Sequence, residues 1–247
     1  MKENQLFTRY EFKYFLNNNI SNQIENEAKH FMSYDDFAVN TPDNQYFVRS
    51  LYYEDSSFSN FFEKVDGIKS RKKFRIRTYG NSLKNNLPIF LEIKGRHLER
   101  TFKKRTSIDS KHIELFLNSE KNSKLLEIYP NNAIINDFVF DSIKKKIKPC
   151  VLIDYKRRPY INNFGLYFRL TFDSNIVSSK SKILFSNEKK STPLECKSGY
   201  TILEVKFNRS IPAWFHRIIQ SYSLTRRSIS KFVLGVCACK LEHETSE

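Results

Sequence analysis

The sequence lacks the features of several common protein classes. Only 4 of its 247 residues are cysteines, at Cys150, Cys196, Cys237 and Cys239, and their spacing fits neither a disulfide framework nor a zinc site. The 5 histidines are scattered, without the spacing of metal ligands. No glycine-rich P-loop and no dinucleotide-binding glycine motif occurs. We therefore expect reduced thiols, no histidine chemistry and neither of the two common nucleotide-binding folds.

Long apolar runs are also absent. No stretch of about 18 apolar residues occurs, so no membrane-spanning helix is predicted. The amino-terminal sequence MKENQLFTRYEFK has no apolar segment of the kind found in signal peptides. We expect a cytoplasmic protein with no transmembrane segment, while a membrane-bound partner and the oligomeric state stay open.

The charge is strongly one-sided. Lys and Arg number 42 against 27 Asp and Glu, which gives a formal net charge of +15 and favours an anionic partner. Nucleic acid, acidic lipid, polyphosphate and nucleotides all qualify by charge alone. Forty percent of the residues are hydrophobic, which is ample for a packed core. Because no linker interrupts the sequence, residues 1–247 are predicted to form a single domain.

Basic and apolar residues alternate with a period of two. On a β-strand over 73–79, Arg75 and Arg77 would share one face, with Phe74 and Ile76 on the other. The same alternation recurs in five further segments, at Arg9–Lys13, Glu92–Arg96, Tyr155–Arg157, Arg169–Asp173 and Glu204–Asn208. It predicts an α+β fold in which a closed antiparallel barrel has a charged lumen and an apolar outside covered by helices.

Turn residues and apolar periodicity place the remaining elements. Strands are predicted at 6–15, 46–53, 72–79, 88–96, 99–107, 149–160, 164–175 and 201–208. Helices are predicted at 18–34, between Asp55 and Gly67, at 110–118 and 121–129, from Pro212 to Tyr222, and at 226–241. Residues 178–198, rich in Ser and Lys, are predicted to be a mobile loop.

Two carboxylates lie on the basic faces, and their role has two interpretations. Glu92 with Lys94, and Glu204 with Lys206, are ordinary surface ion pairs if the faces are exposed. In a lumen, the lysines would bind phosphoryl oxygens and a carboxylate would hold a divalent cation that bridges them. The residues alone leave both interpretations open.

Nine short motifs occur in a characteristic order. They are RYEFKY (9–14), SLYYED (50–55), FRIRTYG (74–80), LEIKGR (91–96), FKKR (102–105), YKRRPY (155–160), FRLTFD (168–173), ILEVKF (202–207) and SKF (230–232). With them the sequence resembles the polyphosphate polymerase domain of the vacuolar transporter chaperone (VTC) family, part of the CYTH or triphosphate-tunnel-metalloenzyme superfamily. The resemblance covers about residues 6–237. It implies an antiparallel β-barrel that forms a basic tunnel, with helices packed outside.

The resemblance also implies roles for individual residues. The positions of the catalytic bases are Lys13, Arg75, Arg77, Lys94, Arg169 and Lys231. Further contacts to the phosphate chain fall at Lys103, Tyr155 and Arg157, and Lys206 shares the face of Glu204. Glu204 corresponds to the glutamate that holds the catalytic metal, Mn²⁺ or Mg²⁺.

Two positions depart from the family patterns. The ExExK signature of the wider superfamily is Arg9-Tyr10-Glu11-Phe12-Lys13 here, with one carboxylate, which favours the VTC branch over the hydrolytic triphosphatases. A lysine common in the VTC pattern is replaced by Ser228, beside Arg226 and Arg227.

The resulting hypothesis is a polymerase that transfers the γ-phosphate of ATP to inorganic polyphosphate. A hydrolase of tripolyphosphate or nucleoside triphosphates is the alternative enzyme. A non-catalytic binder of nucleic acid or polyphosphate is the alternative of another class. Nucleic acid is not expected, because the aromatic rings alternate away from the charges and so are poorly placed for stacking on bases.

Overall fold

The computed structural model describes residues 10–82, 87–98, 100–162, 165, 167–185 and 194–246. The strands in these residues are β1 (Tyr10–Asn17), β2 (Met32–Tyr34), β3 (Tyr46–Glu54), β4 (Arg71–Thr78), β5 (Ile89–His97), β6 (Arg100–Ile108), β7 (Lys148–Asn162), β8 (Phe168–Lys180), β9 (Leu194–Glu195) and β10 (Tyr200–Phe207). The helices are α1 (Asn18–Ala28), α2 (Asp36–Val39), α3 (Ser59–Val65), α4 (Ile113–Leu117), α5 (Lys124–Ile128), α6 (Ala133–Lys144), α7 (Ala213–Ser221) and α8 (Lys231–Ala238). The predicted α+β class is confirmed.

The strands pair in the order β1-β10-β8-β7-β3-β4-β5-β6, while β2 pairs with β7 and β9 pairs with β8. The antiparallel arrangement predicted from the sequence is confirmed in the strand registers. Within the described part of the chain, β1 and β6 each have a single neighbour in this order. Among the described strands the first and the last in this order do not pair, so the sheet is not a closed barrel. The prediction of a closed barrel is wrong.

The chain divides into two compact units. Unit 1 contains the described residues of 1–46, 155–175 and 197–229. Unit 2 contains those of 47–154, 176–196 and 230–247. The single catalytic domain expected over residues 1–247 stays a prediction.

The core of unit 1 forms between its strands and two helices. Ile24 of α1, Val205 of β10 and Phe215 of α7 are buried in it. The ring of Trp214 stacks on Phe31, with the ring centroids 4.6 Å apart. The tryptophan therefore serves packing.

The core of unit 2 shows that the alternation along β4 was interpreted correctly. Phe74 and Ile76 are buried among apolar residues, and the Phe74 ring lies 5.5 Å from that of Phe138 on α6. Arg75 and Arg77 project from the other face and contact a carboxylate instead. A period of two thus separates a packed face from a charged one.

The first predicted helix is too long. It ends at Ala28 instead of Tyr34, and Met32–Tyr34 form β2, which pairs with Tyr160–Asn162 of β7. Apolar spacing continues past the true end of the helix, but pairing with a distant strand determines the structure there.

The last predicted helix begins too early. α8 starts at Lys231, after Ser230 as its N-cap, rather than at residue 226. The preceding segment runs beside β1, where the Arg227 amide donates to the Lys13 carbonyl oxygen over 2.9 Å. A backbone hydrogen bond to a strand thus replaces the first helical turn.

The predicted loop 178–198 is partly strand. β8 continues to Lys180, and β9 pairs with it through Val177 and Glu195. The helices predicted at 110–118 and 121–129 are present but shorter. α6 was not predicted. Residues 6–9, 99, 164, 166 and 186–193, parts of predicted elements, lie outside the described residues.

No helix in the described ranges combines the length and the apolar character needed to cross a membrane. The expected cytoplasmic location stays a prediction.

Candidate functional site

A cluster of cations surrounds a fully buried carboxylate in unit 2. Glu92 of β5 lies opposite Arg75 of β4 and is 0% exposed. One of its oxygens, Oε2, lies 2.8 Å from Arg75 Nε, 2.7 Å from Arg75 Nη2 and 3.9 Å from Arg77 Nε. Its other oxygen, Oε1, lies 2.8 Å from the Lys103 ammonium on β6. We call Tyr52, Arg75, Arg77, Glu92 and Lys103 the Glu92 cluster.

The cluster carries an excess of positive charge. Burial alone would raise the pKa of Glu92, but Arg75, Arg77 and Lys103 outweigh burial and hold that pKa well below its ordinary value. Three cations then face one carboxylate, an excess of two positive charges. An arrangement of this kind is suited to binding a multiply charged anion.

The two arginines are also held from the neighbouring strand β3. Arg75 Nη1 donates to the Tyr52 hydroxyl over 2.7 Å, and Arg77 Nε donates to the Ser50 hydroxyl over 3.0 Å. The register explains both bonds, because Tyr52 lies opposite Arg75 and Ser50 lies opposite Arg77. Contacts on two sides fix the direction of the Arg75 guanidinium group.

Other predicted cations lie beside this cluster in unit 2. Lys94 of β5 is half-buried and lies opposite both Lys73 of β4 and Lys103 of β6. Lys231 is the first residue of α8, is buried, and helps to lower the pKa of Tyr52. The structure thus brings together five of the residues predicted from the sequence: Arg75, Arg77, Lys94, Lys103 and Lys231.

A second cluster, in unit 1, is centred on Glu204 of β10. This strand lies between β1 and β8, so that Lys13 and Thr171 flank Glu204 in the register. The Glu204 carboxylate lies 3.8 Å from Lys13 Nζ, 3.5 Å from Arg157 Nη2 and 3.4 Å from Lys206 Nζ. We call Lys13, Arg157, Asp173, Glu204 and Lys206 the Glu204 cluster.

Arg157 is the most firmly held cation of this cluster. Its Nε and Nη2 atoms donate to the two carboxylate oxygens of Asp173 over 2.6 and 2.7 Å. Burial would lower the pKa of Arg157, but Asp173, Tyr155 and Glu204 outweigh burial and raise it well above its ordinary value. The Tyr155 ring lies 5.4 Å from the Arg157 guanidinium carbon and is 2% exposed. Contact between Tyr155 and a phosphate chain stays a prediction.

Arg169 has a separate anchor in unit 1. It lies opposite Lys206 in the register, and its Nη2 donates to Asp35 Oδ2 over 2.7 Å. The other oxygen of Asp35 accepts from the Ala38 amide over 3.1 Å and caps α2.

Four residues of these arrangements are absent from the site residues predicted from the sequence. They are Tyr52, Glu92, Asp173 and Asp35. Asp173 could have been found, because it alternates with Arg169 on the charged face of β8. Asp35 carried no such signal, since it lies 134 residues from its partner.

The protein ligands available for a metal ion are few. In the part of the chain that the structure describes, no group of three His, Cys, Asp or Glu residues is placed to hold one. Glu204 contacts its three cations at 3.4 Å or more, farther than Glu92 lies from Arg75 and Lys103 or Asp173 from Arg157. One carboxylate is sufficient for Mg²⁺, which keeps several waters and takes its other ligands from phosphates. The residues therefore fit an ion that takes most of its ligands from water and phosphate oxygens.

Comparison with known proteins bears on the family and the fold. The VTC domain model matches residues 8–240. Among curated proteins no sequence matches the chain. A solved protein from Bacillus halodurans described as a candidate adenylate cyclase is similar, with a TM-score of 0.53, 12% identity and coverage of 90% of this chain and 95% of that one. HpAC1 from Hippeastrum, described as a candidate adenylyl cyclase with a dominant triphosphatase activity, has a TM-score of 0.52, 12% identity and coverage of 93% and 97%.

These two structures show the fold, which is the antiparallel α+β arrangement of CYTH-like proteins. The family follows from the sequence model, whose match extends over nearly the whole chain. The charged strand faces, the motifs that lie on them and this match lead to one conclusion: the chain belongs to the VTC domain family.

Proposed function

We propose that the protein is a polyphosphate polymerase that transfers the γ-phosphate of ATP to a growing inorganic polyphosphate chain. The observation that carries the proposal is the Glu92 cluster, in which three cations face one buried carboxylate in a chain of the VTC domain family. Such a cluster attracts and orients a polyanion, and orientation with charge neutralisation is most of what phosphoryl transfer requires.

The transfer itself is balanced by one bond formed and one broken. A terminal oxygen of polyphosphate attacks the γ-phosphorus atom of ATP, the bond from that phosphorus to the bridging oxygen breaks, and ADP leaves. Because charge spreads over the equatorial phosphoryl oxygens, arginines that donate to them lower the barrier.

Roles are proposed for each unit separately. In unit 2, Arg75, Arg77 and Lys94 bind phosphoryl oxygens, and Lys103 and Lys231 guide the product chain. In unit 1, Arg157 and Arg169 bind phosphoryl oxygens and Lys13 contacts the product chain. Glu204 would hold Mn²⁺ or Mg²⁺, which supplies Lewis-acid stabilisation of phosphoryl charge when it is bound.

The second candidate is a hydrolase of tripolyphosphate or nucleoside triphosphates. The triphosphatase activity of HpAC1, which has the same fold, favours it. The two functions differ in the acceptor, which is water in one and phosphate in the other. The cation clusters serve both.

Incubation of the purified protein with ATP and Mn²⁺, followed by gel electrophoresis of the products, tests the proposal. We expect a ladder of long phosphate chains together with ADP. Orthophosphate without chains would identify a hydrolase, and neither product from a protein that still binds tripolyphosphate would identify a binder. The Arg75→Ala variant, purified in parallel, controls for contaminating kinases and should form no ladder.

Phosphate binding should also depend on pH through Lys103. Partial burial and the neighbouring Arg75 lower the pKa of Lys103 to about 8, although Glu92 opposes this shift. Because the ammonium loses its charge above that pKa, we expect tripolyphosphate affinity to fall about fivefold between pH 7 and pH 9. Calorimetric titration at both pH values measures the fall.

The Lys103→Arg variant is the matched control, because arginine stays charged throughout this range. An equal loss of affinity in the variant and in the wild type would assign the pH dependence to the ligand or to another group.

A further inference from the structure

Tyr52 is buried beside Arg75 and Arg77, yet the proposed function assigns it no role. It lies on β3 opposite Arg75 and is 4% exposed. Its ring packs on Phe232 of α8, with the centroids 5.2 Å apart, and lies 5.5 Å from the Arg75 guanidinium carbon. The residue is therefore held by packing, and its hydroxyl group has a fixed position.

The hydroxyl of Tyr52 is a second side-chain partner of Arg75, in addition to Glu92. Arg75 Nε and Nη2 contact Glu92 Oε2 on β5, at 2.8 and 2.7 Å. On the side of β3, Arg75 Nη1 donates to the Tyr52 hydroxyl over 2.7 Å. Three nitrogens of one guanidinium are thus fixed by two side chains from the two strands that flank β4. Tyr52 thus gives Arg75 a second anchor, on the strand across β4 from the one that carries Glu92.

The electrostatic surroundings strengthen this contact. Burial would raise the pKa of Tyr52, but Arg75, Arg77 and Lys231 together lower it below its ordinary value. The cations around the phenol favour an orientation in which its oxygen, the negative end of the O–H dipole, faces Arg75. The 2.7 Å bond from Arg75 is consistent with this orientation and with a charged donor.

We infer that Tyr52 is a positioning residue, whose hydroxyl group orients the Arg75 guanidinium for phosphate binding. This inference rests on the proposed function, in that Arg75 must be a phosphate ligand. The positioned guanidinium binds without first losing rotational freedom, so the hydroxyl contributes affinity without being a ligand itself.

The Tyr52→Phe variant tests the inference, since it removes only the oxygen and keeps the ring on Phe232. Tyr53→Phe is the matched control, because Tyr53 is the next residue, is equally buried and donates its hydroxyl to the Phe116 carbonyl oxygen over 3.0 Å in the apolar core. We expect Tyr52→Phe to weaken tripolyphosphate binding about tenfold, as measured by calorimetry. The kcat/KM for ATP should fall by a similar factor. Tyr53→Phe should lower thermal stability and leave both values unchanged.

A double-mutant cycle separates positioning from general destabilisation. In the Arg75→Ala background, Tyr52→Phe should change tripolyphosphate affinity less than twofold, because the group that it orients is absent. In the Tyr52→Phe single variant, the NMR signal of Arg75 Nε–H should broaden in the free protein as the guanidinium gains mobility.

The outcomes distinguish this inference from the proposed function. If the wild type does not bind tripolyphosphate, the proposed function fails and the inference fails with it. If the wild type binds and Tyr52→Phe binds as tightly as Tyr53→Phe, the inference alone is overturned. It is equally overturned if Tyr52→Phe has its full effect in the Arg75→Ala background.

Discussion

Replacing Glu204 with glutamine should reduce turnover of ATP by about 100-fold or more while leaving tripolyphosphate binding largely intact. In the proposed function this carboxylate would hold the divalent cation, and its loss would matter most when charge develops on the phosphoryl group. The neighbouring cations Lys13, Arg157 and Lys206 remain to hold phosphate oxygens. Steady-state kinetics with Mn²⁺, and calorimetry with tripolyphosphate, measure the two quantities separately.

The control for this substitution is Glu25→Gln. Glu25 is a buried carboxylate of the same unit, paired with Arg158 over 2.6 Å, and has no part in the proposed chemistry. We expect Glu25→Gln to cost stability but to retain turnover. Full activity in Glu204→Gln would remove Glu204 from the metal-binding role.

Replacing Glu92 with glutamine should lower the free energy of unfolding by about 3 kcal/mol at pH 7. The substitution removes the single negative charge that faces Arg75, Arg77 and Lys103, in a place where water does not reach the carboxylate. Cations left without their partner then repel each other across a few ångströms of poorly solvated space. Urea denaturation measures the loss, and Glu127→Gln, an exposed change on α5, should stay within about 0.5 kcal/mol of the wild type.

The pH dependence gives a second test of the same residue. Because the pKa of Glu92 in the folded protein is held below its ordinary value of 4.5, its stabilising contribution is present above about pH 4.5 and is lost as the pH falls. The difference in stability between the wild type and Glu92→Gln should therefore shrink when the pH is lowered from 7 toward 3. A constant difference over this range would mean that the pKa of Glu92 is the same in the folded and the unfolded protein.

The parts of the fold that the sequence predicts are those determined by local pattern. On β4, alternation assigns Phe74 and Ile76 to the core and Arg75 and Arg77 to the charged face, as observed. α6 was missed for a physical reason. Its exposed side carries the apolar residues Phe140 and Ile143, so no contrast in polarity marks its buried face.

The site was predictable in its cations and less so in its contacts. Basic residues stand out on alternating strands, but the carboxylate that each one contacts depends on strand register and long-range packing. Arg157 and Asp173 lie 16 residues apart on paired strands. Lys13 and Glu204, by contrast, belong to the first and the last of the sequence segments that make up unit 1. Which residue holds a cation in place is therefore a property of the folded chain.

The two carboxylate oxygens of Asp35 have different partners, and this affects how Arg169 can leave Asp35 for an anion. Oδ1 begins a short helix, while Oδ2 holds the guanidinium group. An anion that draws the arginine away breaks only the second contact, so the helix keeps its first turn. If Arg169 binds phosphate as proposed, loading and release would require a reversible change of side-chain rotamer rather than refolding of the backbone, and the segment that carries Asp35 could stay in place through repeated cycles.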